Sequence, residues 1–232
     1  DGYMILEVPD CSKQFELLDY SMIWEEHLVY FTQQTFQRCL GTQGFTIEKF
    51  EVVPGAVEGP MTAIVRLNDT NDLPNNFSLN TALNVVEEVK RVETFCRSFT
   101  ECKKKMKQFF WTQKELLAVF GAGHSAAVLI NIFELPVSRV IDDNIHKKGL
   151  FMPDSRVPIC GSDTLLADEL CVLGVNPSAE PKIVARFPQV NFRSFNPLGV
   201  HSLYTNLHFL RVISDEVYYT MGGMIALDNK II

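Results

Sequence analysis

A single stretch, residues 117–144, constrains what this chain can fold into more than any other. It opens on an apolar run, residues 116–120, whose unbroken hydrophobicity suits a strand buried on both faces. Gly121, Gly123 and Ala126 follow in the spacing G-x-G-x-x-A; the apolar residues 127–133 are long enough for a helix, which Pro136 stops. A second strand, residues 137–141, ends on Asp142 and Asp143. Strand, glycine turn, helix, strand and acid is the order of a mononucleotide-binding βαβ unit, with the acid about twenty residues past the turn.

The glycines answer to a physical need. A strand turns sharply into a helix only where the backbone tolerates unusual dihedrals, and a missing Cβ lets the main chain approach a phosphate at a helix N-terminus. Small residues are equally required where helix packs tightly on strand. The turn therefore reads either as a phosphate cradle or as a packing device. Asp142 correspondingly contacts a ribose hydroxyl or caps a loop, and His124 meets a phosphate or serves as a cap.

Elsewhere the chain alternates strand and helix patterns. Residues 3–8 form an apolar strand closed by Pro9-Asp10, and residues 15–20 a short helix or ordered loop. Glu25, Glu26 and His27 then stand together between apolar and aromatic flanks. Thr32 reads as an N-cap of a helix with Phe36, Cys39 and Leu40 on one face, ended by Gly44. Residues 45–53 and 61–67 are two strands joined by a Gly/Pro loop, an antiparallel hairpin. Residues 68–76 are polar and turn-forming. From Ser78, a three-and-four-residue recurrence through Leu79, Leu83, Val86, Val89, Val92, Phe95, Phe99, Met106, Phe109 and Phe110 predicts a long packing helix. After the βαβ unit come strands at 170–175 and 190–195, short helices at 162–166 and 181–187, and two β-like runs in the tail, 209–213 and 217–221.

Several segments together resemble S-adenosylmethionine-dependent C-methyltransferases that modify nucleotide-linked deoxysugars. A GAGH-type turn leads into an acid at a strand end, then Lys148, Gly149 and Pro153 in a K-x-G-x-x-x-P run, Pro158-Ile159, and Asn176 after the next strand. Upstream, Glu7-Val8-Pro9, Glu25-Glu26-His27 and Tyr30-Phe31 match the family's E-V-P segment, acid-E-H motif and aromatic pair in order. Two positions depart: Trp24 stands where the motif has tyrosine, and the hairpin loop reads Ala56-Val57-Glu58-Gly59-Pro60. The resemblance covers residues 3–195 and only the later part of the family's length. It implies an α/β chain: a Rossmann-like parallel sheet with flanking helices, preceded by a partial class I methyltransferase-type sheet ending in the hairpin. The expected divisions are 1–70, the end of a methyltransferase-type domain; 71–113, linker and packing helix; and 114–232, the Rossmann-like C-terminal domain with a β-rich tail.

The resemblance also implies chemistry. Methylating a sugar carbon beside a ketone first requires a proton to leave that carbon, and a neutral imidazole is suited to taking it at neutral pH. His27 is the expected base, with Glu26 fixing its tautomer or contacting the sugar. Gly121, Gly123, His124, Asp142 and Lys148 are the expected substrate contacts, Lys148 as a point charge on a diphosphate. S-adenosylmethionine is the implied cofactor. No glycine-rich donor turn precedes Tyr3, so its site is expected outside this chain, which reads as the C-terminal part of something longer. Two other readings stay open: an NAD(P)-binding oxidoreductase built on the Gly121 turn, and a non-catalytic ligand-binding or scaffold descendant.

Composition narrows the field. The chain has 232 residues, 47% hydrophobic and 21% charged, enough for one large or two small cores. A net charge of −7 argues against a nucleic-acid partner. No run approaches the ~18 apolar residues of a membrane span, and no signal peptide opens the chain. Six scattered cysteines without a C-x-x-C pair indicate reduced thiols and a cytoplasmic setting, and the histidines lack metal-ligand spacing. No G-x-S-x-G or Walker sequence supports a hydrolase or P-loop reading.

Overall fold

The computed structural model describes residues 2–23, 27–55, 59–68, 85–113, 116–199 and 201–206. Trp24, Glu25, Glu26, the loop residues 56–58, the start of the long helix with Leu79 and Leu83, and the tail runs 209–213 and 217–221 lie outside the described residues.

Strand β1 (Tyr3–Asp10), β2 (Phe45–Val52) and β3 (Gly59–Leu67) form an antiparallel sheet in the order β1-β3-β2. The expected hairpin is present, with Val52 opposite Met61. Strand β1 continues through Pro9, which faces Pro60; an edge strand tolerates the missing N–H. The central strand buries alternate residues, Met61, Ala63 and Val65, against Phe36 and Leu40 of helix α2 (Gln33–Thr42). That helix starts as expected: Thr32 Oγ1 accepts from Thr35 N at 3.2 Å, and Thr35 Oγ1 accepts from Thr32 N at 2.8 Å.

The second sheet is parallel throughout. Its strands β4 (Leu117–Phe120), β5 (Val137–Ile141), β6 (Ile159–Cys160), β7 (Leu170–Leu173) and β8 (Asn191–Ser194) run in the order β6-β5-β4-β7-β8. Every residue of β4 and β7 is buried, which is why both read as unbroken apolar runs. Alternate residues feed two cores. Leu117, Val119 and Val172 point to one containing Leu129 and Phe133; Ala118, Phe120, Cys171 and Leu173 point to another with Val190 and Phe192. The second core also receives Ile183 and Val184 from helix α5 (Glu180–Arg186). Three strands, β5, β4 and β7, are adjacent and parallel as the βαβ pattern predicts. The short edge strand β6, made from the Pro158-Ile159 segment, has too few residues to announce itself by periodicity.

Helix α1 (Ser12–Leu17) and a 3₁₀ turn, Tyr20–Met22, follow β1 but pack away from its sheet. Cys11, Phe15, Leu18 and Tyr20 share the first core of the parallel sheet with helix α3 (Val85–Thr112). Phe15 meets Phe95 edge-on at 5.2 Å, and Tyr20 Oη donates to the Phe95 carbonyl at 2.8 Å. Helix α3 buries Phe95, Cys102, Met106 and Phe110, whereas Val86, Val89 and Val92 of the same apolar recurrence are exposed. The helix after the glycine turn, α4 (His124–Ala127), starts three residues earlier than its apolar run and widens into a π-helical turn, Val128–Ile132. A last helix, α6 (Leu203–Asn206), places Tyr204 in the same core. All six cysteines are free thiols. Among the described residues no helix is long and apolar enough to cross a membrane, and no three His, Cys, Asp or Glu side chains cluster to hold a metal.

Candidate functional site

The chain runs from β4 outward to β6, then returns to β7 on the other side of β4. Strand order therefore reverses between β4 and β7, and in open α/β sheets the crevice beyond the strand ends at that point is where ligands bind. Two segments build its floor. Gly121 leaves β4 with φ +105°, and a Cβ there would stand 2.7 Å from Val175 Cγ1 and 2.9 Å from the Gly174 carbonyl oxygen. Gly174 in turn faces Ser125 and Val119, 3.3 Å from each at its missing Cβ. Turn and strand exit interlock, so Gly121 is required by conformation and by contact. Gly123 is different: its φ of −127° is ordinary and nothing lies within 4 Å of its missing Cβ.

The acid after β5 is committed to this turn. Asp142 Oδ2 accepts from the Ala122 amide at 3.0 Å and from Lys147 Nζ at 3.2 Å, while Oδ1 accepts from Asn144 N at 2.8 Å. Lys147 Nζ also donates to the Ala122 carbonyl at 2.7 Å. Desolvation opposes ionisation of Asp142, but the Asn144 and Ala122 amides and the Lys147 ammonium outweigh it and hold the carboxyl below its ordinary value. Asp143 is likewise lowered, chiefly by the Ser162 amide and further by the Ser162 hydroxyl and Arg186, against a smaller desolvation penalty. Both oxygens of Asp142, and the main-chain N–H and C=O of Ala122, thus have partners inside the fold.

A cleft of about 300 Å³ lies at the switch point. His27 and His124 both line it, facing Asn176 at the exit of β7 and Asn196 beyond β8. Gln14 of α1 and Ser125 of α4 complete its polar wall. No described lining residue is Asp, Glu, Lys or Arg, so the cleft suits an uncharged, hydrogen-bonding ligand portion. His27 is partly buried, its ring edge-on to Tyr30 at 5.6 Å. His124 Nε2 meets the carbonyl oxygen of Ser21. On the other side of His124 a wider space of about 620 Å³ is lined largely by apolar side chains, Ile23, Val128, Ile132 and Met152 among them, with Lys147 at its edge.

The structure thus brings together His27, His124 and the Gly121 turn. Lys148 is elsewhere: its Nζ lies 3.7 Å from Asp163 Oδ1, next to Gly161, and it lines neither space. Lys147, its neighbour, reaches the turn instead. Glu26 lies outside the described residues. Sequence reading missed Gln14 and Asn196. Asn196 follows a strand of the parallel sheet at its C-terminal end, where such folds gather ligand contacts, and that position was the available signal. Its placement is built in: buried Glu180 accepts from Ser194 Oγ at 2.6 Å, and Ser194 Oγ accepts from the Asn196 amide at 2.9 Å. Buried Gln14 gave no signal, since a lone polar residue in a short helix reads as surface.

For the implied S-adenosylmethionine, the glycine turn after β4 has its Ala122 amide held by Asp142 Oδ2 and its Ala122 carbonyl held by Lys147 Nζ. Residues 79–180 match the family model of the C-methyltransferase C-terminal domain. The match takes in the glycine turn, Asp142, Lys148 and Asn176, and ends at the first residue of α5; His27 lies upstream of it. No curated protein matches the chain.

Proposed function

We propose that this chain, whose residues 79–180 match the model of the C-methyltransferase C-terminal domain, supplies the substrate-holding and proton-abstracting part of a C-methyltransferase acting on a small molecule, a nucleotide-linked ketosugar. The observation that carries the reading is the position of His27 on a cleft at the strand-order reversal, lined among the described residues by Gln14, Asn176 and Asn196. Asn176 and Asn196, whose Oδ1 atoms accept from Ser178 and from the Leu198 amide, are proposed to donate their side-chain N–H groups to ring hydroxyls and to the ketone, with Gln14 beside them. His27 takes the proton from the carbon beside the ketone; the C–H electron pair becomes the C=C bond of an enolate, and the negative charge moves to oxygen. That carbon is then the nucleophile a C-methylation needs. Glu26, next in sequence, is the proposed partner that sets the imidazole tautomer. The methyl donor is proposed to bind a segment outside the described residues.

The diphosphate is proposed to extend out of the cleft toward Lys148, whose side chain is 41% exposed and held only loosely by Asp163. Gly121 and Gly123 shape the floor beneath. Titration of a thymidine-diphosphate ketosugar into wild type and Lys148→Ala tests this. A charge-assisted contact contributes about 1.5–3 kcal/mol, so the variant should bind roughly ten- to a hundredfold more weakly. Equal affinities would remove Lys148 from the site. Binding of NADH in place of the sugar nucleotide would instead favour the oxidoreductase reading.

A further inference from the structure

The Gly121 turn is tied into the fold through Ala122. Its Ala122 amide donates to Asp142, and its Ala122 carbonyl accepts from Lys147, so both main-chain polar groups of Ala122 are engaged within the fold. Gly121 presses on Gly174 and Val175. What this rigid turn presents to its surroundings is His124, and His124 reaches not outward but across, to the Ser21 carbonyl. A carbonyl oxygen only accepts, so Nε2 is the protonated, donating nitrogen at this contact.

Ser21 lies in the 3₁₀ turn that leads into the His27 segment. Its amide is already held by Asp19 Oδ1 at 3.0 Å, and the preceding Tyr20 is fixed through Phe95 and the Tyr204 hydroxyl. The segment is fastened at its other end too. The Phe31 carbonyl accepts from the Cys11 amide at 2.9 Å, and Thr32 Oγ1 donates to Glu88 Oε2 at 2.9 Å. Glu88, buried on α3, is itself paired with Arg91 at 2.7 Å. Thr32 already caps α2 through Thr35, so the bond to Glu88 is an additional tie between helices. His27 therefore lies in the chain between two fastened points of this strap, Ser21 at one end and Phe31 with Thr32 at the other, and His124 ties the first of them to the parallel sheet.

We infer that the glycine turn serves as a bracket for the proposed base: His124 is a positioning residue that fixes the Ser21 turn, at the entrance of the His27 strap, beside the cleft. The inference rests on the reading of His27 as the base, because only then does the placement of the strap matter to a reaction. A misplacement on the order of 1 Å at a reacting group costs about 10²-fold in rate.

The test uses three substitutions of His124, one of His27, and two readouts. A glutamine at position 124 carries an N–H donor about as far along the side chain as Nε2. Phenylalanine keeps the ring and has no donor, and asparagine is one bond too short. Amide hydrogen exchange, followed by mass spectrometry on peptides covering residues 20–32, should accelerate at least tenfold in His124→Phe and return close to wild type in His124→Gln. With a ketosugar added, exchange of its alpha proton should fall ten- to a hundredfold in kcat in His124→Phe with little change in KM, and recover in His124→Gln. If His124→Phe disturbs the global circular-dichroism spectrum, His124→Asn replaces it with the same expected losses. Unchanged protection of residues 20–32 without the donor, or a glutamine no better than phenylalanine, overturns the bracket. A His27→Ala protein that still exchanges the alpha proton overturns the base while leaving the amide-exchange result standing, so the two failures are distinguishable.

Discussion

Gly121 and Gly123 sit two residues apart and answer to different constraints. At Gly121 a side chain must adopt φ +105° and find room where Val175 Cγ1 and the Gly174 carbonyl already stand, 2.7 and 2.9 Å from the missing Cβ. At Gly123 the backbone is ordinary and the space is open. Backbone strain of the first kind costs about 1–3 kcal/mol, and the clash with main-chain atoms adds to it. Gly121→Ala should therefore lower the denaturation midpoint markedly, while Gly123→Ala should change stability by no more than about 0.5 kcal/mol. Chemical denaturation of the two variants checks this, and equal losses would mean that the turn is not seated on β7 as described. The sequence spacing G-x-G-x-x-A was enough to locate the turn. It could not reveal that the Ala122 amide and carbonyl are engaged by Asp142 and Lys147, because those partners arrive only when β5 and its following loop fold beside β4.

At the scale of elements, what could be read depended on how local the cause was. The cap at Thr32, the stop before Gly44 and the buried strands β4, β5 and β7 follow from neighbouring residues, and all were legible. Helix α3 was legible in existence but not in facing. Its apolar recurrence runs unbroken from Val86 to Phe110, yet the core contact with α1 and the parallel sheet is made at Phe95, Cys102, Met106 and Phe110. Which turns of a long helix are covered depends on where its partners end, and periodicity holds no record of that. The difference is measurable. Met106, fully buried, should cost about 2–5 kcal/mol when replaced by alanine. Val89→Ala, at a position 51% exposed, should stay within about 0.5 kcal/mol. Comparable losses at both positions would show that the exposed stripe is covered in solution.

At the scale of the whole molecule, the decisive feature is the strand order β6-β5-β4-β7-β8, with its reversal between β4 and β7. The sequence implied neighbouring parallel strands; the reversal, and hence the location of the cleft, depends on where β7 docks. His27 was singled out because three polar residues stood between apolar flanks, yet only the fold brings it to His124, Gln14 and Asn196. Those residues lie far apart in the chain and meet because the segment after β1 leaves its own sheet to pack on α3 and the strand ends. The central claim is that this meeting point removes a proton from a ketosugar carbon. Solvent deuterium incorporation into a nucleotide-linked ketosugar, measured without methyl donor for wild type and His27→Ala, isolates that step. General-base catalysis typically contributes about 10²–10⁴-fold, so incorporation should fall by that factor in the variant while ketosugar binding is retained. Incorporation persisting at the wild-type rate in His27→Ala would contradict the account.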